Sequence, residues 1–298
     1  MALTDDIRAG AARVAGAARH VRIVEEAIEP YARTLGAESP PAPDLEGADD
    51  ETRAAFSLQL NAINFGSGWF PTLRKPPGLS GFRTVEAGLQ RHGPWRADAL
   101  AEIRREEVAV ALGQDPEHVL MGHFARHLSE LGRRVRDEHG GAFLRLARAG
   151  DGSAEALAAH LAGWDTWRDV SPYDGAPVPF FKRAQIAAAD VALAGLALAD
   201  DLHRLTLFAD NLVPHVLRID GVLELDDALV ARIDAEQPLE HDSPEEVEIR
   251  ACALHAVELL VAAHGGTTAT AVDNILWHRG AAPRYKAHPR HRAPCTAY

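Results

Sequence analysis

Apolar residues recur three and four positions apart along most of this chain, as in "EEVEIRACALHAVELL" (residues 245–260), and only a helical backbone gathers such a pattern onto one face. Alanine and leucine dominate and only 6% of the residues are aromatic, a composition that favours helices. The expectation is an all-α fold, a single compact multi-helix domain over residues 1–298. The spacing predicts helices near 5–21 and 24–35, four or five over 84–161 with one spanning 116–139, and further helices at 181–198, 214–219, 226–236 and 245–263. Ser243-x-x-Glu246 reads as a capping box, and Thr270-x-x-Asp273 as another helix start. Two stretches break the pattern. "GAESPPAPDLEGADD" reads as a surface connection, and "NAINFGSGWFPTLRKPPGLSG" as a long loop whose aromatic content suits a functional role.

Charge and cysteine content narrow the function. A formal net charge of −12 disfavours a protein that grips long nucleic acid, since that needs a basic face to release phosphate counterions. A small nucleotide is compatible with it. Cys252 and Cys295 supply no disulfide framework, the N-terminus lacks a basic segment followed by an apolar core, and the most apolar stretch, 186–199, is interrupted by Asp190. These features point to the cytoplasm, with no membrane partner.

The stretch "LFADNLVPHVLRIDG" (207–221) sets a carboxylate and an amide, Asp210 and Asn211, ahead of a proline that a helix tolerates only near its first turn. Asp210 therefore faces the positive end of a helix, either as an ordinary cap or as a carboxylate aimed at a substrate. The order of "VPFFKRAQIAAADVALA" and "LFADNLVPHVLRIDGVL" is similar to that in helix-hairpin-helix DNA glycosylases, whose catalytic aspartate corresponds to Asp210. Over a longer span, "FFKRAQIAAAD", "LTLFADNLVPHVLRIDGVL", "EEVEIRACALHAVELL" and "ILWHRG" follow the order seen in queuosine salvage proteins, and the chain resembles that family from Phe56 to its end. "LNAINFGSGWFPTLRKPPGLSG" looks like the bacterial form of the family's aromatic loop, with Gly66, Ser67, Gly68 and Trp69 where eukaryotic members often carry Cys-Phe-Trp.

The resemblance implies an N-glycosyl hydrolase that releases queuine from queuosine 5′-monophosphate, with water as acceptor and no metal or organic cofactor. Breaking a ribosyl C–N bond builds oxocarbenium character, which a carboxylate such as Asp210 stabilises while activating water. Queuine is a 7-deazaguanine, so leaving-group assistance cannot come at N7. Asn64, Phe65, Trp69 and Phe181 are candidates for an aromatic slot around the base, against core packing as the alternative. Asn211 either binds a sugar hydroxyl or closes a turn. Lys182 and Arg183 compete for the 5′-phosphate with Arg279, Arg284, Tyr285, Lys286 and Arg292 of the basic tail, whose plainer reading is a solvated end. Trp277 and Arg279, from "ILWHRG", join the substrate-contact set.

Other clusters read as structural. Asp190 ranks second as catalytic acid, Glu246 with Arg250 is an i,i+4 pair, and His123 with His127 has a metal-like spacing without the accompanying acid. Two rivals remain. A base-excision DNA glycosylase fits the Asp210 motif but not the acidic charge or the missing DNA-gripping hairpin, and a non-catalytic binder of modified nucleosides fits the aromatic loop. Oligomeric state has no signature in the sequence.

Overall fold

The computed structural model describes residues 2–36, 47–197 and 199–298, so positions 37–46 of the acid- and proline-rich connection lie outside the described residues. The chain opens with helix α1 (Leu3–Ala17), strand β1 (Val21–Ile23), α2 (Glu25–Ala32) and α3 (Asp50–Ala62). After the aromatic loop come α4 (Gly81–His92), α5 (Ala97–Ala101), α6 (Arg105–Leu112), α7 (Val119–Glu138), α8 (Phe143–Ala147) and α9 (Ala154–Ala162). A hairpin of β2 (Val170–Tyr173) and β3 (Ala176–Pro179) leads into α10 (Lys182–Leu193) and then α11 (Leu212–Ile219). Strand β4 (Leu223–Leu225), α12 (Asp227–Asp234), α13 (Pro244–His264), α14 (Ala269–Arg279) and α15 (Pro283–Lys286) complete the order.

The fold is mostly helical, as the spacing predicts, with two small antiparallel sheets that the all-α expectation lacks. β1 pairs with β4, Val21 opposite Leu225, and takes over the end of the segment expected to be helix up to residue 21. The β2–β3 hairpin turns at Asp174 and Gly175, both at positive φ (47° and 78°), the Asp-Gly signature of a tight two-residue turn. Residues 84–161 hold six helices or parts of them rather than four or five, because Gly93, Gly113 and the "HGG" stretch each end one. α14 starts at Ala269 and is capped by Thr268, whose hydroxyl accepts from the Ala271 N–H (3.2 Å). The expected start at Thr270 is displaced, and Asp273 becomes an interior residue. At α13, Ser243 accepts from the Glu246 N–H, but the Glu246 carboxylate returns to Asp242 (3.2 Å), so the box is completed one residue early.

Apolar side chains collect in two main clusters. One gathers the inner faces of α3 to α10, and the other those of α1, α2 and α11 to α14, with Leu3 and Phe181 packed against both. The beginning of α10 therefore sits on the seam between them. α7 crosses α5 so closely that a Cβ on Gly132 would stand 2.3 Å from the Ala101 nitrogen, which only glycine permits. The end of the chain is not the solvated tail that its charge suggests. Ala293, Cys295, Ala297 and Tyr298 form a small buried cluster of their own, and the Tyr298 carbonyl accepts from the Gly66 N–H (2.8 Å).

Candidate active site

Three helices pin the non-helical segment that delivers Asp210. Gln185 of α10 accepts from the Thr206 N–H (2.9 Å) and donates to the Phe180 carbonyl (2.9 Å). Asp273 of α14 accepts from the Phe208 N–H (3.2 Å), and Arg250 of α13 donates through Nε to the Ala209 carbonyl (3.1 Å). Asp210 then caps α11 itself, its Oδ1 accepting from the N–H groups of Leu212 (2.8 Å) and Val213 (3.1 Å). Pro214 is the third residue of that helix, where no backbone donor is needed. Capping and chemistry are therefore not exclusive. Oδ1 caps, whereas Oδ2 has no hydrogen-bond partner among the described residues.

Arg250 also takes part in a buried ion pair with Asp169, and that pair sets Lys182. Asp169 receives both guanidinium arms of Arg250 (3.0 and 2.8 Å), and its Oδ2 also accepts from the Lys182 N–H (3.0 Å). Arg250 is fully buried and its guanidinium lies over the rings of Phe180 (4.0 Å) and Tyr298 (4.6 Å). One Arg-Asp fork thus holds the backbone on both sides of the site. Just before Lys182, Phe181 adopts a left-handed conformation (φ 48°, ψ 42°), a strain of about 1–3 kcal/mol for a bulky residue. That turn starts α10 with its first side chain facing the polar interior.

The Lys182 ammonium donates to the carbonyl (2.8 Å) and the side-chain oxygen (3.1 Å) of Asn64. Burial pulls its pKa down to about 8, against the nearby negative charge of Asp210, which favours the ammonium. Asn64 in turn donates to Asn61 (3.2 Å), and Asn61 to Asp190 Oδ2 (2.7 Å). Asp190 lies two turns beyond Lys182 on α10, and burial raises its pKa to about 6 despite the Asn61 hydrogen bond. A hydrogen-bonded chain thus runs from Lys182, within electrostatic reach of Asp210, through Asn64 and Asn61 to the second acid singled out in the sequence. Asp273 is 9% exposed, and burial, followed by the charge of Asp210, pushes its pKa well above the usual carboxylate range. Arg290 also feels Asp210, and its guanidinium has no hydrogen bond among the described residues.

The structure divides the remaining candidates. Phe181 is half-buried beside Lys182, on the seam between the two clusters. Trp277 lies one turn beyond Asp273 on α14, edge-on to Phe82 (6.2 Å) and beneath the Arg83 guanidinium (5.0 Å). Phe65, by contrast, is a core residue at 1% exposure, enclosed by Phe124 (5.1 Å), His127 (4.5 Å) and the Arg183 guanidinium, and has no face left for a base. Trp69 stacks on His123 of α7 (5.2 Å). Asn211 is buried and donates to the His291 carbonyl (3.1 Å), tying down the tail. Arg279 donates to the Tyr31 hydroxyl (3.1 Å) and the Thr34 carbonyl (2.8 Å).

Most of the cations proposed for a phosphate are also engaged elsewhere. Arg183 is buried and points its two terminal nitrogens at the carbonyls of Ala62 and Thr166, Arg284 pairs with Asp220 (2.6 Å), Arg292 with Glu236 (2.7 Å), and Tyr285 hydrogen-bonds Asp220. Lys286 is exposed. His123 and His127 pack on aromatic rings, and burial lowers the His127 pKa to about 2, so the metal-like spacing is used for packing. The Glu246–Arg250 pair is present at 3.9 Å, wholly buried. Sequence reasoning passed over Asp169, Asn61, Asp273 and Arg290. Of these only Asp273 carries a signal, an acid among apolar residues once α14 is seen to begin before it.

Comparisons with known proteins agree on one family. A family profile described as "Queuosine salvage protein" matches residues 46–298. A Sphaerobacter thermophilus protein named queuosine 5′-phosphate N-glycosylase/hydrolase is 34% identical over 308 residues, covering 96% of this chain and 95% of its own. Relatives of the same name from Bos taurus and Dictyostelium discoideum are 30% and 31% identical, each covering 68% of this chain and 65% of its own.

Proposed function

The chain belongs to the queuosine salvage protein family, and from that premise we propose that it hydrolyses the N-glycosidic bond of queuosine 5′-monophosphate, releasing queuine and ribose 5-phosphate. The observation that carries this reading is the setting of Asp210. The segment just ahead of it is pinned by three helices, one carboxylate oxygen is held by its own helix, and the other has no partner among the described residues. A carboxylate fixed in this way stabilises the positive charge that grows on the ribose as the bond to the base stretches, and orients the attacking water. Lys182, held by Asn64, sets a cation near Asp210, and the charge of that carboxylate favours the ammonium form of the lysine against its burial.

The substrate face of this reading combines Phe181 and Trp277 as apolar walls with the Asn64 amide as a polar edge, and excludes the core-bound Phe65. Arg290 is the guanidinium best suited to the 5′-phosphate, because it lies within electrostatic reach of Asp210 and is not committed to another described residue. Incubating the purified protein with queuosine 5′-monophosphate and measuring free queuine by mass spectrometry tests the activity. Base release by the wild-type protein is expected. Intact nucleotide after many equivalents of protein and time contradicts it.

A further inference from the structure

The Asp273 carboxyl has no role in the hydrolysis as set out so far, yet it shares the Asp210 segment. It sits in the middle of α14, nearly enclosed, and accepts the N–H of Phe208, two residues ahead of Asp210, through Oδ1. Its Oδ2 has no hydrogen-bond partner among the described residues. No cation touches it within ion-pair distance among those residues, which is unusual for an acid so deeply placed. The charged groups that reach it are Asp210, from the loop before α11, and Lys182 of α10. None of α11, α13 and the short turn Leu202–Arg204, all packed on α14, contributes one.

We propose that Asp273 is the proton donor to the departing base, working as a pair with Asp210. Asp273 holds the backbone two residues ahead of Asp210, and two carboxyl groups close enough to feel each other do not both ionise readily. Asp273, nearly enclosed and with burial and then the charge of Asp210 raising its pKa, is the acid, and Asp210, whose Oδ1 is held by two backbone N–H groups, is the group that faces the attacking water. Lys182 is the poorer donor, because Asn64 already engages two of its three ammonium hydrogens.

The step balances as an ordinary hydrolysis. The C1′–N9 bond breaks with its electron pair staying on the base, and Asp273 delivers its proton to a ring nitrogen of that base. Water adds to C1′ as hydroxide, and its proton goes to Asp210. Transfer of that proton back to Asp273, directly or through solvent, restores the starting state. A 7-deazaguanine has carbon in place of N7, so it must be protonated at another ring position on leaving, and a buried neutral carboxyl is suited to that.

This inference rests on the glycosidase reading above, and the experiment separates the two. Wild type, Asp273→Asn and Asp210→Asn are assayed on queuosine 5′-monophosphate and on p-nitrophenyl riboside 5-phosphate, whose leaving group departs without a proton. The expected result for Asp273→Asn is a kcat loss of roughly 10²–10⁴-fold on the nucleotide and only a few-fold on the nitrophenyl substrate, with Asp210→Asn impaired on both. An equal loss of Asp273→Asn on both substrates, or no loss on the nucleotide, overturns the role of Asp273 while leaving the hydrolase standing. A wild-type protein inert on the nucleotide removes the hydrolase reading itself. Should Asp273→Asn fail to fold, the wild-type pH profile decides. With the nucleotide, kcat falls on the alkaline side as the acid ionises, and a nucleotide profile flat through that range contradicts the proposal.

Discussion

Single side chains in this protein do two jobs at once, and Asp169 shows it most clearly. It forks onto Arg250, whose Nε holds the Ala209 carbonyl, and it accepts the Lys182 N–H, so one buried ion pair fixes two of the residues assigned to chemistry. Breaking such a pair strands a buried guanidinium, and Asp169→Asn is expected to lower stability by about 3–5 kcal/mol in chemical denaturation. A change under about 1 kcal/mol contradicts the fork as described. Asp190 supplies a pH test. Its folded pKa is raised from 3.8 to about 6, so its contribution is fully present below about 4 and is lost as pH rises through 6. Relative to Asp190→Asn, the wild type is therefore expected to lose roughly 2 kcal/mol across that window. A difference independent of pH sinks the assignment. At this scale the sequence marks Asp210 and Lys182, because a proline fixes where the helix begins and an acid or a lysine beside a helix start is conspicuous. It hides Asp169 and Arg290, whose partners are 81 residues distant in the one case and electrostatic only in the other. Of the two readings that the sequence leaves open for Phe65, base contact and core packing, the packing of α7 against it is visible only in the fold.

Among the secondary-structure elements, the long helices are legible and the short ones are not. α7 and α13 have enough turns for the apolar stripe to repeat, and their expected limits fall within three residues of those observed. The three-residue strands β1 and β4 are too short for alternation to register, and they form because each finds the other across the fold. The displaced start of α14 mattered most, since it made Asp273 look like a capping acid rather than an interior one. Packing between elements gives a separate prediction. A methyl group on Gly132 meets the Ala101 backbone, which cannot rotate away, so Gly132→Ala is expected to destabilise the α5–α7 crossing by about 1–3 kcal/mol. Unchanged thermal stability contradicts the close approach.

Taken whole, the molecule closes where its last residues meet the aromatic loop. The last residues are buried, Tyr298 stacks with Arg250 and accepts from Gly66, and the Gly68 Cα lies so close to the backbone at Ala293 that an added Cβ would come within 2.6 Å. The basic tail therefore braces the site, although its charge alone suggests a solvated end. Deleting residues 293–298 is expected to lower Tm and kcat together, because Arg250 loses a ring above the guanidinium that holds Ala209. Full activity in the truncated chain contradicts this bracing. The net charge of −12 acts at the same scale, leaving cations such as Lys182 and Arg290 as local features of an acidic body, an arrangement suited to a small anion rather than a polyanion. Among the described residues no helix is long and apolar enough to cross a membrane.

The most direct test of the central claim compares kcat of wild type and Asp210→Asn on queuosine 5′-monophosphate, with substrate affinity and Tm measured alongside. Asparagine keeps an oxygen to cap α11, so the fold and the affinity are expected to persist while kcat falls roughly 10²–10⁴-fold. An Asp210→Asn protein that releases queuine at the wild-type rate contradicts the account.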